Sequence, residues 1–269
     1  MGTFEAGLKD TAVRVAGEAA ELVRRAREAM LAGEPVSVDT KTTETDVVTA
    51  VDRASEQLIR RRLAELRPGD EVLGEEEGGT AGAGVTWVVD PIDGTVNFLY
   101  GSPVFSVSVA AQIDGVPVAG AVLEPVSGRC WTAVRDEGSW LDGRPLRTSS
   151  PARLDLALVS TGFSYQAERR ARQAKVIASL APHVRDIRRP GSASLDLCTV
   201  AAGWVDAYAE HGLHRWDWAA GALIAREAGA VVSVPGQDPD LGQDATLAAA
   251  PSIAEELRAT LIACGMKEV

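Results

Sequence analysis

Cysteine is scarce in this 269-residue chain. Cys130, Cys198 and Cys264 are odd in number, widely spaced and outside any metal-ligand pattern. They read as reduced core thiols, which places the protein in the cytoplasm. No apolar run approaches the ~18 residues of a membrane span. Glu5, Lys9 and Asp10 stand where an export signal needs a basic start and an apolar core, so neither export nor membrane insertion is expected. Basic clusters flanked by aromatics are also missing, and the net charge is −11. Nucleic acid and anionic membrane surfaces are therefore disfavoured as partners. Arg60-Arg61-Arg62 and Arg188-Arg189 read as solvated faces. No Ser-His or Cys-His pair stands in a suggestive setting, so a covalent intermediate is not called for. His211 and His214 are three apart beside Asp217, but a strand-to-helix junction does not turn both rings to one face, and they read as structural. His183, in a Pro-rich junction, reads as a surface residue.

Hydrophobic residues make up 46% of the chain, enough for one large core or two compact lobes. Helical spacing predicts a long amphipathic helix over 4–32 and a second over 50–66, with the Thr-rich stretch 34–47 as an exposed, mobile loop. Strand patterns follow at 85–90, 104–113, 116–125 and 130–134, with Asp114-Gly115 as a hairpin turn. Beyond 150 strands and helices alternate: strands at 154–160, 184–188, 205–210, 230–234 and 246–250, helices at 166–180, 194–202, 216–229 and from 252. The fold class expected is α+β passing into α/β, a layered αβαβα sandwich. Residues 1–150 would form an α+β lobe with an antiparallel sheet and most metal ligands. Residues 151–269 would form an α/β lobe with Asp217 and the substrate contacts, in a single compact unit.

Four acidic features sit at strand ends or helix starts: Glu75 in GEEE, Asp90 and Asp93 in WVVDPIDGTVNF, and Asp217 in HRWDW. Taken singly, Glu75 fits a charged surface loop and Asp217 fits a helix N-cap. Asp90 and Asp93 fit a polar turn or a cation site equally well. Pro91 interrupts a simple ladder and stiffens the link between the two acids, and the Ile92 carbonyl lies between them. An all-oxygen set suits Mg²⁺ better than zinc. Gly94-Thr95 can cap the helix that follows and offers amides and a hydroxyl to an anion. Residues 190–194, PGSAS, open another helix and could do the same or merely cap it.

WVVDPIDGTVNF, together with WDWAAGALIAREAGA at 216–230, resembles the inositol monophosphatase family of magnesium-dependent, lithium-sensitive sugar phosphatases. The order GEE, DPIDGT, GSAS, WD carries that resemblance across roughly residues 40 to 230. DPIDGT alone also occurs in bisphosphate nucleotidases, fructose bisphosphatases and some histidinol phosphatases. Val96 departs from the polar residue many relatives carry, without touching a proposed ligand. Asn97-Phe98 and Glu210 look more like the inositol phosphatase branch than the nucleotidase branch.

The resemblance implies that Glu75, Asp90, the Ile92 carbonyl, Asp93 and Asp217 bind Mg²⁺, two or three ions per site. Glu75 and Thr95 would activate the attacking water, and Asp52 would hydrogen-bond Thr95. The amides of Gly94 and Thr95 would take the phosphate. Glu210 and the loop of Gly191, Ser192, Ala193 and Ser194 would contact substrate hydroxyls, with Asp217 also beside the substrate. Lys41 would ride a mobile loop over the site. The implied activity is hydrolysis of myo-inositol monophosphate and similar phosphorylated polyols, by a homodimer. Histidinol phosphate, adenosine 3′,5′-bisphosphate and fructose 1,6-bisphosphate are alternative substrates on the same ligands. A non-catalytic interaction protein of the same fold is the alternative of another class.

Overall fold

The computed structural model describes residues 4–41, 43, 45–80, 82 and 84–269. Helix α1 (Phe4–Leu31) buries Leu8, Val15 and Val23 along one face. Strands β1 (Val38–Thr40) and β2 (Val47–Thr49) pair antiparallel within the stretch expected to be a loop. Both are rich in β-branched residues, which favour strands, a signal masked by the surrounding threonines and charges. Thr42 and Glu44 of that stretch lie outside the described residues. Helix α2 (Ala50–Leu66) begins with a capping box made by Thr49 and Asp52.

Seven strands build the first sheet: β3 (Glu71–Gly74), β4 (Val85–Asp93), β5 (Ser106–Ile113), β6 (Val116–Leu123), β7 (Cys130–Val134), β8 (Gly138–Leu141) and β9 (Arg144–Pro145), in chain order. All neighbours are antiparallel except β3 and β4, which run parallel. The short helix α3 (Thr95–Leu99) follows β4. The second sheet holds β10 (Leu158–Thr161), β11 (Asp186–Arg188), β12 (Ala207–His211), β13 (Val231–Ser233) and β14 (Ala245–Ala249), in the order β11-β10-β12-β14-β13. Here β10, β11 and β12 are parallel, and β14 runs against β12 and β13. Helices α4 (Ala167–Leu180), α5 (Ala193–Ala201), α6 (Arg215–Glu227) and α7 (Ala254–Ala263) complete the chain. The short β3, β8 and β9 were not expected from the pattern, being too brief to show a period.

Alternation along β4 assigns its two faces. Trp87 and Val89 pack with α1 and α2, whereas Val88 packs with α5 and α6. Tyr208 and Ala248 of the second sheet join that same inner cluster, so α5 and α6 lie between the sheets. Val176, Leu180, Leu257 and Leu261 of α4 and α7 cover the far side of the second sheet. The layers are thus helices, sheet, helices, sheet, helices: the αβαβα sandwich.

Candidate active site

The chemistry gathers where β4 ends, and its geometry comes from an irregularity in that strand. Residues three apart on a regular strand point to opposite faces. Between Asp90 and Asp93 the register shifts: Asp90 pairs with Ser108 and Asp93 with Ser106, so one extra residue bulges on β4. The bulge returns Asp93 to the face of Asp90. Ile92 is turned the other way, into the cluster with α1 and α2. The strand therefore does not stop at Asp90, as the sequence pattern implied, but runs through Pro91 to Asp93. Pro91 can sit there because a bulge does not require its missing N–H.

Asp217, in the first turn of α6, reaches the same point from the inner helix layer, where α6 packs against this sheet. Carboxylate oxygens of Asp90, Asp93 and Asp217 lie within 4.8 Å of one another. Burial, then the Glu75, Asp93 and Asp217 charges, push the Asp90 carboxyl well above its usual range. Burial and the charges of Glu75 and Asp93 do the same to Asp217. Three oxygen ligands held together against their own repulsion, with no His or Cys among them, suit a hard divalent cation. The donor set therefore fits the metal that the resemblance implies.

The acids differ in what holds them. Asp93 accepts from Ser192 Oγ (2.7 Å), the amides of Ala193 (3.2 Å) and Ser194 (2.7 Å), and Ser194 Oγ (2.5 Å). The donors expected to meet a substrate in the 191–194 loop thus sit on a protein carboxylate, at the start of α5 where the helix dipole favours it. Gly191, just before them, has φ +93° and is joined to α3 through Asn97, whose Nδ2 donates to the Pro190 carbonyl at 2.9 Å. Asp90 accepts the Ile92 amide at 3.1 Å, and Asp217 accepts the His214 amide at 2.6 Å. The latter contact makes Asp217 the third helical residue of a capping box, not the N-cap itself.

Thr95 does not cap α3 as expected. Gly94 occupies the cap with φ 101° and ψ 40°, left-handed values that glycine takes without strain. The Thr95 hydroxyl lies 2.8 Å from Asp52 Oδ1 and 3.1 Å from the Ile92 carbonyl. Asp52 is fully buried, and its second oxygen accepts the Thr49 amide at 2.8 Å and the Thr49 hydroxyl. Burial raises the Asp52 carboxyl, and the hydrogen bonds from Thr49 and Thr95 oppose that rise.

Glu75 hangs from the turn after β3. Its carboxylate accepts Lys41 Nζ at 2.8 Å, and Glu76 accepts the same ammonium at 2.6 Å. Burial raises both acids, Glu76 to about 7, with Lys41 opposing. Lys41 thus bridges the hairpin of β1 and β2 to the acid expected to hold metal. Glu210, one residue before the end of β12 on the opposite sheet, accepts the Tyr208 hydroxyl at 2.5 Å and is pushed up to about 7 by burial.

One residue that positions this site was not visible in the sequence. Glu56 on α2 is fully buried and accepts the amides of Glu76 (2.7 Å) and Glu77 (3.0 Å) together with the Arg60 guanidinium. It fixes the turn that carries Glu75. Its only sequence signal is its spacing, four residues after Asp52 on one helix face. The histidines take structural places. His211 Nε2 lies 2.8 Å from the Leu241 carbonyl, and the His214 ring stacks on Trp216 with centroids 5.0 Å apart.

With this arrangement in view, the comparisons with known proteins are decisive: residues 6–266 match the inositol monophosphatase family. The chain belongs to that family. An inositol-1-monophosphatase of Mycobacterium leprae is 51% identical over 271 aligned residues, covering 94% of this chain and 93% of that one. The structure of Mycobacterium tuberculosis SuhB superposes with a TM-score of 0.84 at 44% identity, covering 98% of each chain. A protein of Pseudomonas aeruginosa named Nus factor SuhB is 43% identical over 229 residues, 82% of this chain and 83% of that one. Membership makes the protein a phosphatase of the inositol monophosphatase fold. Among the described residues no helix is long and apolar enough to cross a membrane.

Proposed function

We propose that the protein hydrolyses myo-inositol monophosphate and similar phosphorylated polyols in a Mg²⁺-dependent reaction, with two or three ions per site. Asp90, Asp93, Asp217, Glu75 and the Ile92 carbonyl would hold the metal. When bound it would supply charge relief on the phosphate and a water of lowered pKa. The observation that carries this reading is the bulge-aligned cluster of Asp90, Asp93 and Asp217 within 4.8 Å.

The chain's own groups divide the remaining work. Thr95, its hydroxyl proton directed at Asp52, offers a lone pair to the proton of an attacking water. Glu75 orients the same water once Lys41 Nζ has left its Oε1. The amides of Gly94 and Thr95 face the phosphate oxygens, and Glu210 accepts from a hydroxyl of the polyol. Ser192, Ala193 and Ser194 serve first by clamping Asp93, and together with Gly191 they would line the polyol site. We place the enzyme in the cytoplasm as a homodimer, in keeping with its reduced cysteines and with the family resemblance.

The test is phosphate release from myo-inositol monophosphate, histidinol phosphate, adenosine 3′,5′-bisphosphate and fructose 1,6-bisphosphate, with and without Mg²⁺. Preference for the inositol ester, lost with chelator and in Asp93→Asn, supports the proposal. A dominant preference for another ester moves the assignment to that substrate. The relative named Nus factor SuhB gives the interaction-protein reading one point of support. That reading takes over if wild type shows no Mg²⁺-dependent turnover on any member of the panel.

A further inference from the structure

Glu210 is an acid that the second sheet brings to the proposed polyol side of the site, and its placement is controlled from two directions. Tyr208 lies two residues earlier on β12, so both side chains point to the same face, toward α5 and α6. Tyr208 is fully buried, and its hydroxyl donates to Glu210 Oε2 at 2.5 Å. From the side, Gly162 follows β10 directly, and β10 is in parallel register with β12. A Cβ added to Gly162 would lie 1.9 Å from Glu210 Oε2 and 2.3 Å from Oε1. Gly162 has no left-handed φ that demands glycine, so the missing side chain is explained by room for the carboxylate. Gly162 and Glu210 lie at the carboxyl ends of the parallel strands β10 and β12, where such sheets bind ligands.

We infer that Tyr208 and Gly162 are positioning residues that fix the Glu210 carboxylate as an acceptor for a substrate hydroxyl and thereby set discrimination among phosphate esters. The inference rests on the proposed role of Glu210. With Oε2 engaged by Tyr208, Oε1 is left to meet the substrate. The esters favoured are those of polyols that carry a hydroxyl donor at that point; aryl or short alkyl phosphates lack one. Burial already lifts this carboxyl to about 7 against the opposing hydrogen bond from Tyr208, so loss of the phenol raises it further and leaves less of the ionised acceptor near neutral pH.

The experiment compares kcat/KM for myo-inositol monophosphate with that for p-nitrophenyl phosphate, at saturating Mg²⁺, in wild type and four variants. Tyr208→Phe should lower the inositol-to-aryl ratio by roughly 10-fold to 100-fold, the effect of losing a hydrogen bond to a charged acceptor, chiefly through KM for the inositol ester. Gly162→Ala should lower the ratio by at least as much, because it displaces the carboxylate itself. Glu210→Gln sets the largest attainable loss, and Tyr208→Phe combined with Glu210→Gln should be no worse than Glu210→Gln alone. If Glu210→Gln lowers the ratio but both positioning variants retain it, the inference is overturned while the role of Glu210 stands. If Glu210→Gln retains the ratio, the role of Glu210 falls and takes the inference with it. Parallel losses on both esters, or an additive double variant, would make Tyr208 merely structural and likewise overturn the inference.

Discussion

The end of β4 and the end of β12 come close enough for the Asp93 charge to raise the Glu210 carboxyl, yet they hold their acids by different means. At β4 the backbone does the placing: a one-residue bulge puts Asp90 and Asp93 on one face, and donors at the start of α5 clamp Asp93. At β12 the strand is regular and the acid is placed by side-chain fit, between a buried phenol and a glycine with no room to spare. A site that must gather like charges needs covalent geometry to force them together. A site that must read hydroxyls needs only one carboxylate at the right point. The first solution resists change, whereas the second can be retuned by single substitutions.

The largest break in that comparison should come from Asp217→Asn. The amide can still accept the His214 N–H, so the α6 cap survives while one charge of the cluster is lost. We expect kcat/KM to fall by roughly a thousandfold, the scale of several kcal/mol of lost charge stabilisation. Thermal unfolding in chelator should move the opposite way, upward by about 1–2 kcal/mol or a few degrees, because like-charge repulsion is relieved. Asp93→Asn should lose activity as severely but lose stability too, by about 1–3 kcal/mol, since its donors would face an amide NH₂. Opposite signs of the stability change in calorimetry, with equal loss of turnover, would separate repelled acids from clamped ones. Equal signs would sink the distinction.

How much of this the sequence disclosed follows the same division. Asp90, Asp93, Thr95 and Asp217 stood out in short local motifs and Asp52 entered through the family resemblance; the structure gathers Asp90, Asp93 and Asp217 at one point and bonds Thr95 to Asp52. The layered αβαβα fold was legible from the switch between helical and strand periods. The bulge was not, because Pro91 signals an interruption without saying whether the chain leaves the sheet or inserts a residue. The pairing of β1 with β2 was hidden among threonines that fit strand and loop alike. Glu56 was hidden for a deeper reason: a glutamate in a run ending in three arginines looks solvated, and only its position under the 74–78 turn makes it buried.

Glu56 also offers a way to sharpen the comparison from the β3 side. A Cβ on Gly74 would lie 2.3 Å from Glu56 Oε1, so Gly74→Ala must push Glu56 off the amides it holds. Unfolding in urea should show a loss of about 2 kcal/mol, the scale of overpacking and of lost charge-assisted hydrogen bonds. Weakened Mg²⁺-dependent protection against thermal unfolding should accompany it, because Glu75 hangs from that turn. Stability loss with intact Mg²⁺ protection would mean the turn is structural only.

The smallest expected effect lies at β12, where adjacent residues respond to pH with opposite signs. Glu210 is raised in the fold from 4.5 to about 7, so the folded state binds the proton more tightly. Its contribution is fully present below 4.5 and is lost as pH rises toward 7. His211 is lowered from 6.5 by burial, so the fold binds that proton less tightly. Its contribution is present above 6.5 and is lost as pH falls. Between these limits the two oppose each other, and the net slope should be shallow. Glu210→Gln removes one side of the balance. Its unfolding free energy from urea titration, measured in chelator from acid to neutral pH, should climb relative to wild type by about 1 kcal/mol, discounted for partial exposure of the carboxylate. A variant whose stability ran parallel to wild type across that range would show that Glu210 stays ionised in the fold. The acid would then be held at β12 by charge partners, as the acids at β4 would be by a metal, and the contrast between the two ends would disappear.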